Sequence, residues 1–474
     1  MSRDALRFRG AWVVAAAVGF WVLALGLIGA LLFGGFAVFM YAPDNIAGGI
    51  AMWGLAAALA VGVAPRAAPK RETVPPLAPS EHPRLQAFVR EAARRAGSPP
   101  PDRLHVFHEA NAFAAIHRPK LFAKRESIVG IGLPLLAVLS ENEAMSVLAH
   151  EMGHHVAGDV KLGPWVHKTR RALARTADRL EGSSFWLHLP FVAYAELFLK
   201  ASMRVSRAQE LEADALAAKV AGPAVTASAL RKTDVIGSAW EMYFHSEVVP
   251  VLAKGRLPPL LAGWDAYWHA AQTPDTLAFK ALEQHLKANR FVSDEDTHPP
   301  LDERIAALGD PAPLSDHAQP ALALLDEVHE AEKKVLTDLL VDDAKLEPIA
   351  WERVTDEVWL PLWRETIATN NAFAKMTPRD VPRALANWED LALATRRGPS
   401  AASPEAERRR VARLVATWLT VALADNGWVI DAAPGRVVSA TREGAVIEPF
   451  TLIADTKKPL SAKRWAKLCD EHQL

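Results

Sequence analysis

Cysteine occurs once in the 474 residues, at Cys469, so no internal disulfide can form and the fold needs no oxidising compartment. An excess of charge of either sign is missing too: 54 Lys and Arg stand against 55 Asp and Glu, a formal net charge of −1. Such a balance gives no electrostatic footing for nucleic acid, which is excluded as a partner. With 50% hydrophobic residues the chain is not globally disordered, and its length calls for more than one folded unit. Charge is absent altogether from Ala11 to Ala42, a run longer than the roughly 20 residues that a helix needs to cross hydrocarbon.

What is present begins with that run. Pro43, Asp44 and Asn45 break it, and a second uncharged run, rich in Gly and Ala, goes from Ile46 to Ala64. Two crossings and a tight turn make a transmembrane hairpin over residues 1–64; the second run also fits a buried helix. A signal peptide fits poorly, because the apolar run far exceeds an h-region and no small-residue cleavage site closes it. Arg3, Arg7 and Arg9 precede the first crossing, and Arg66, Lys70 and Arg71 follow the second. Positive charge at both ends puts them, and the bulk of the chain, on the cytoplasmic side of the inner membrane.

Residues 65–83 are rich in Pro and basic side chains and read as a stiff linker. Leu85 to Ala96 reads as a helix, and Leu104 to Phe107 and Ser127 to Ile131 read as short strands, with Asn111-Ala112-Phe113-Ala114 between them. From Ser140 the pattern turns helical, and Glu143 three residues on completes a capping box. That helix carries His150-Glu151-Met152-Gly153-His154, an H-E-x-x-H arrangement. A spacing of four puts both imidazoles on one face, close enough to share a metal ion. Glu151 points about 100° away around the axis and is left to act as a base on water. A later helical stretch offers carboxylates at Glu210 and, one turn on, Asp214. Two His, one Glu and an open position form a catalytic zinc set; the single cysteine rules out a closed cysteine-rich structural site.

These motifs together resemble peptidase family M48, the membrane-anchored zinc metallopeptidases with HtpX-like and Ste24-like branches. The likeness covers roughly residues 80–310. His150, Glu151 and His154 match its H-E-x-x-H; Glu210, Ala213 and Asp214 match its E-x-x-A-D. Asn111-Ala112-Phe113-Ala114 matches an N-A-F-A segment, and His298-Pro299-Pro300 with Arg304-Ile305 matches an H-P-P-x-x-x-R-I element. The resemblance implies a zinc endopeptidase with one zinc per chain held by His150, His154 and Glu210, and with Glu151 as general base.

Further roles follow, each beside a plainer one. Asp214 either receives an imidazole N–H and fixes a ligand's tautomer or is a solvated helix acid. Asn111, Ala112 and Phe113 either bind the substrate backbone as an exposed strand or, for Phe113, simply fill core. His298, near the active site in similar proteins, either donates a hydrogen bond to the oxyanion or sits at the surface. Arg207 either orients Glu210 or makes a weak surface pair. Arg304 can pair with an active-site carboxylate, although an exposed helix arginine is the default; His155 is turned off the metal face.

HtpX-like proteins usually carry two more crossings between the metal motifs. Here Phe185 to Leu199, interrupted by His188, Pro190 and Glu196, is too short to span. It is either an interfacial helix, with Trp186 and Tyr194 near headgroups, or a core helix. A prenyl-protein substrate is not supported.

The tail carries no motif of chemistry. Ala321 to Leu346 reads as a charged amphipathic helix, Trp351 to Trp388 as helices with aromatic anchors, and Arg396 to Pro404 as a linker. Glu405 to Asp425 reads as a helix, then three short strands turn at Pro434-Gly435 and Glu443-Gly444. The expected fold class is mainly α: a hairpin, an M48-like peptidase domain with a small β-sheet over 84–310, a helical extension over 311–395, and a small α+β module over 404–474. The module is open to a protein partner. The functional expectation is a membrane-anchored endopeptidase acting on protein or peptide substrates, membrane or misfolded; the rival is a non-proteolytic adaptor whose zinc only stabilises the fold.

Overall fold

The computed structural model describes residues 3–63, 75–78, 80–117, 125–156, 169, 189–274, 276–288, 299–312, 319–337, 346–396, 403–454, 461–472 and 474. The chain is mostly helical with small sheets, as its composition and periodicity predict. Its contacts divide it into two units, residues 1–236 with 289–335 and residues 237–288 with 336–474.

The first unit opens with α1 (Arg3–Tyr41) and α2 (Ile46–Val63), joined by a turn over Pro43–Asn45. Both are long and apolar enough to cross a membrane. Their backbones approach closely where a side chain is missing: a Cβ on Gly35 would sit 2.5 Å from the Trp53 indole and 3.0 Å from the Gly49 carbonyl oxygen. Small residues allow such contacts between helices in lipid. The Trp53 indole N–H donates to the Leu32 carbonyl at 3.1 Å and ties the two helices.

The expected linker is described only in its last part, where the chain enters α3 (Pro83–Ala96), which ends at Gly97 with φ 69°. Three strands follow, β1 (Arg103–Phe107), β2 (Ala112–His117) and β3 (Glu126–Gly132), in the order β1-β3-β2. β1 runs parallel to β3 and β2 antiparallel to it, with Ala112 opposite Ile131 and Phe113 opposite Gly130. Ala112, Phe113 and Ala114 of the N-A-F-A segment thus lie in β2, an edge strand among the described residues.

After β3 come α4 (Leu133–Val138), α5 (Glu141–Val156) and α6 (Leu189–Ala221). α5 starts where its capping box predicts. The Glu143 amide donates to Ser140 Oγ at 3.3 Å, and the Ser140 amide donates to Glu143 Oε2 at 2.9 Å. Leu85, Ile131, Leu136 and Leu148 are fully buried in the core that supports α5. The helix expected over Ala321–Leu346 is interrupted: a 3-10 turn, Ala321–Leu324, precedes a helix over Val328–Thr337. The Ala321 amide donates to the Leu139 carbonyl at 2.7 Å, which takes that segment out of the helical ladder.

In the second unit, aromatic packing dominates. Trp240, Tyr243, Trp264 and Tyr267 meet at ring separations of 5.1 to 6.3 Å. The Tyr243 hydroxyl donates to the Leu260 carbonyl at 2.7 Å, and the Trp351 indole donates to the Pro259 carbonyl at 2.8 Å. Helix Pro404–Asp425 leads to strands Val429–Asp431, Ser439–Arg442 and Ala445–Ile447 in an antiparallel meander. Glu443 and Gly444, at φ 50° and 85°, supply the left-handed turn that such a hairpin needs.

Candidate metal centre

α5 and α6 build the centre by packing unusually close. A Cβ on Gly153 would lie 3.2 Å from Ala213 Cα and 3.3 Å from Ala213 Cβ. Glycine inside H-E-x-x-H therefore lets α6 approach, and Ala213 offers it only a methyl group. This contact brings the two motifs, one on each helix, face to face.

His150 and His154 lie a turn apart, their ring centroids 5.0 Å from each other and their planes at 87°. Glu210 reaches between them: Oε2 is 3.6 Å from His150 Nε2, and Oε1 is 3.6 Å from His154 Nε2. One ligand atom from each of the three residues lies within 4.8 Å of the others, the only such cluster among the described residues. Two donors bound to zinc at tetrahedral angles stand about 3.3 Å apart, given bonds of about 2.0–2.1 Å. The observed 3.6 Å is near that value and too long for a hydrogen bond between the same atoms. The donor set therefore fits zinc.

Behind these three side chains lies a set of close polar contacts. His150 Nδ1 is 2.9 Å from Asp214 Oδ1. Arg304, on the helix Leu301–Ala307, donates through Nη2 to Asp214 Oδ1 at 2.7 Å and through Nε to Oδ2 at 2.8 Å. The same Nη2 stands 3.5 Å from Glu210 Oε2. Burial works against the charge on Asp214, but the bonds from Arg304 and His150 outweigh it and hold its carboxyl below the usual range. Arg304 answers in kind: burial works against its charge, yet Asp214, and at longer range Glu210 and Glu151, raise its pKa.

The expected roles meet this geometry unevenly. His150, His154, Glu210 and Asp214 come together, and Glu151 lies beside His150 on α5. Arg207 makes no ion pair with Glu210; its Nε is buried without a hydrogen-bond partner. The guanidinium that approaches Glu210 belongs to Arg304, whose side chain is 14% exposed where an exposed helix residue was the default. His298 lies outside the described residues, as does Trp186. Asn111 Oδ1 accepts from the Ala112 amide at 2.9 Å, at the entry to β2. Phe113 lies over Gly130, 5.6 Å from the Phe107 ring, and stays half-buried. The signal that pointed to Arg304 was its place in the R-I element; nothing in the sequence pointed to the Gly153–Ala213 contact.

An H-E-x-x-H helix able to hold a metal ion, in a chain with two apolar helices, points to a membrane-associated protease, and comparison with known proteins agrees. The model of peptidase family M48 matches residues 79–312. Protease HtpX of Hahella chejuensis is 29% identical over 240 residues, 46% of this chain and 69% of that protein. The Protease HtpX homolog of Persephonella marina is 28% identical over 249 residues, 48% of this chain and 74% of that protein. Protease HtpX of Histophilus somni is 30% identical over 180 residues, covering 34% and 60%. No solved structure matches the chain significantly. The family M48 match takes in both motifs and just under half of the chain.

Proposed function

We propose that this protease is a zinc endopeptidase of the inner membrane, with a cytoplasmic active site and with membrane or misfolded proteins as substrates. The observation that carries the reading is the convergence of His150, His154 and Glu210 within 4.8 Å, with Glu151 next to the first of them. Zinc bound by those three residues supplies Lewis acidity, making water acidic near neutral pH and polarising a carbonyl.

The remaining work falls to the chain's own groups. Glu151 accepts the proton of the attacking water and returns it to the leaving amine. Asp214 accepts the His150 Nδ1–H, which leaves Nε2 with its lone pair toward Glu210, and Arg304 holds Asp214 in the orientation to do so. Among the described residues β2 has one edge without a sheet partner, so an extended substrate can add to it through backbone hydrogen bonds, with Asn111, Ala112 and Phe113 lining its start. His298 serves as donor to the oxyanion. The tail module recruits a protein partner.

The test is degradation of casein by the purified chain in detergent, with zinc content measured on the same sample. Glu151→Gln should keep one zinc and lose activity by about 10²–10⁴-fold, the usual contribution of a general base. His154→Ala should lose the metal. If the parent binds zinc yet is as inactive as Glu151→Gln on varied unfolded substrates, the site only stabilises an adaptor.

A further inference from the structure

The apolar segment before the second metal motif is the start of α6 itself. α6 runs unbroken from Leu189 to Ala221, so one rigid rod carries both that segment and Glu210. One face of its early turns is buried on the hairpin. Phe198 and Val205 pack in a cluster with Ala17, Phe20 and Ala24 of α1 and Leu59 and Val63 of α2. The Tyr194 hydroxyl donates to the Ala16 carbonyl, and its ring lies 6.3 Å from Phe20.

The hairpin positions in that cluster fix the height of the contact. α2 has 18 residues, about 27 Å of helix, close to the thickness of the hydrocarbon layer. Its last residue, Val63, therefore marks the edge of the layer, and α6 packs at Val63 and at the turns of α1 around Phe20. On the outward side of α6 two apolar residues, Leu197 at 67% and Val192 at 42% exposed, flank the exposed ion pair Glu196–Lys200 at 3.0 Å. Lys200 and Arg204, three and seven positions after Leu197, share its face and are exposed.

We propose that the first turns of α6 rest on the bilayer surface, with Leu197 and Val192 at the headgroup–acyl boundary and Lys200 and Arg204 among anionic headgroups. Tyr194, amphipathic and anchored to α1, suits that level. Glu210 then lies about 20 Å along the same helix from Leu197, at 1.5 Å per residue, so the rod sets a fixed distance between the lipid surface and the metal ligand. The inference rests on the hairpin's crossing the membrane and not on the peptidase reading.

The full chain tests it after Cys469→Ala, in vesicles of phosphatidylcholine and phosphatidylglycerol. Spin labels go on Leu197→Cys and Val192→Cys, with Leu25→Cys on α1 and Val429→Cys in the last sheet as references; both reference positions are exposed. The unmodified chain, with Cys469 buried, is the control for background labelling. Labels at 197 and 192 should collide with dissolved oxygen several-fold more than with a water-soluble nickel chelate, as at Leu25 and opposite to Val429. Ready access of the chelate at 197 and 192 would overturn the proposal. Poor access of both reagents would overturn it too, since protein would then cover this face.

Discussion

Asp214 in the first unit and Glu247 in the second are carboxylates drawn out of water, Asp214 fully and Glu247 in part, and they end with opposite acidities. Burial pushes each upward. Asp214 has Arg304 and His150 against that pressure and stays below the usual range. Glu247, in the helical turn Phe244–Val248, has the Gly435 backbone N–H, and its pKa rises to about 7. Nearby, burial and then the charge of Glu247 push up the Tyr267 hydroxyl. A bidentate guanidinium can hold a buried carboxylate charged, whereas one neutral amide does not offset its lost hydration. Charge is thus stabilised beside the candidate metal site, while the second unit is held by aromatic packing.

The sharpest way to break that contrast is to make Asp214 resemble Glu247 by removing its guanidinium. Arg304→Met should lower zinc affinity about 10–100-fold, the cost typical of losing support behind a ligand. It should also destabilise the fold by about 3 kcal/mol, because a buried charge is left without its partner. Chelator competition reads the first effect and thermal unfolding of the metal-free protein the second. Adding Asp214→Asn should recover part of the stability but not the affinity, since Asn cannot replace the carboxylate on His150. Equal stability of the parent and Arg304→Met would show that the pair does not hold Asp214 charged.

The sequence reveals the parts of this site that depend on local spacing. The capping box at Ser140, the two His a turn apart and the Glu210-Ala213-Asp214 pattern all follow from helix periodicity, and the hairpin follows from missing charge. Arg304 was harder, because an arginine on a charged helix reads as solvated and its burial is decided by Asp214, 90 positions away. The span of α6 was hidden for another reason. Pro190 reads as a break, yet it occupies the second position of the helix, where a missing N–H costs nothing. The break near Asp326 was also out of reach, since the Asp326 amide donates to His82 Nδ1, 244 positions away.

A smaller effect sharpens the comparison inside the first unit. Glu143 is buried at the start of α5 and accepts from Lys232 at 2.7 Å and Ser228 at 2.6 Å. Burial opposes its charge, but Lys232, Ser228 and the Ser140 amide bring its pKa below the ordinary value. A depressed folded-state pKa adds stability that is present above the unfolded value and lost as pH falls through the folded one. Glu143→Gln should therefore cost about 2 kcal/mol at pH 7, less than a fully buried pair because Lys232 is 33% exposed. The difference in melting temperature should shrink once the solution is more acidic than the parent's lowered pKa. A difference unchanged across that range would mean that packing, not charge, holds the capping box.

The smallest effect has the opposite sign and belongs to Glu247. Its folded-state pKa is raised from 4.5 to about 7, so the folded chain favours the protonated form. The penalty is absent below pH 4.5, grows as pH rises toward 7 and is fully present above it. Glu247→Gln keeps an oxygen for the Gly435 amide and removes the titration. At pH 8 it should stabilise the second unit by about 1 kcal/mol, discounted because surface exposure leaves the carboxylate part of its hydration. At pH 4 parent and variant should melt together. A gain of equal size at both pH values would show that the substitution acts through packing, and the contrast with Asp214 would then rest on geometry alone.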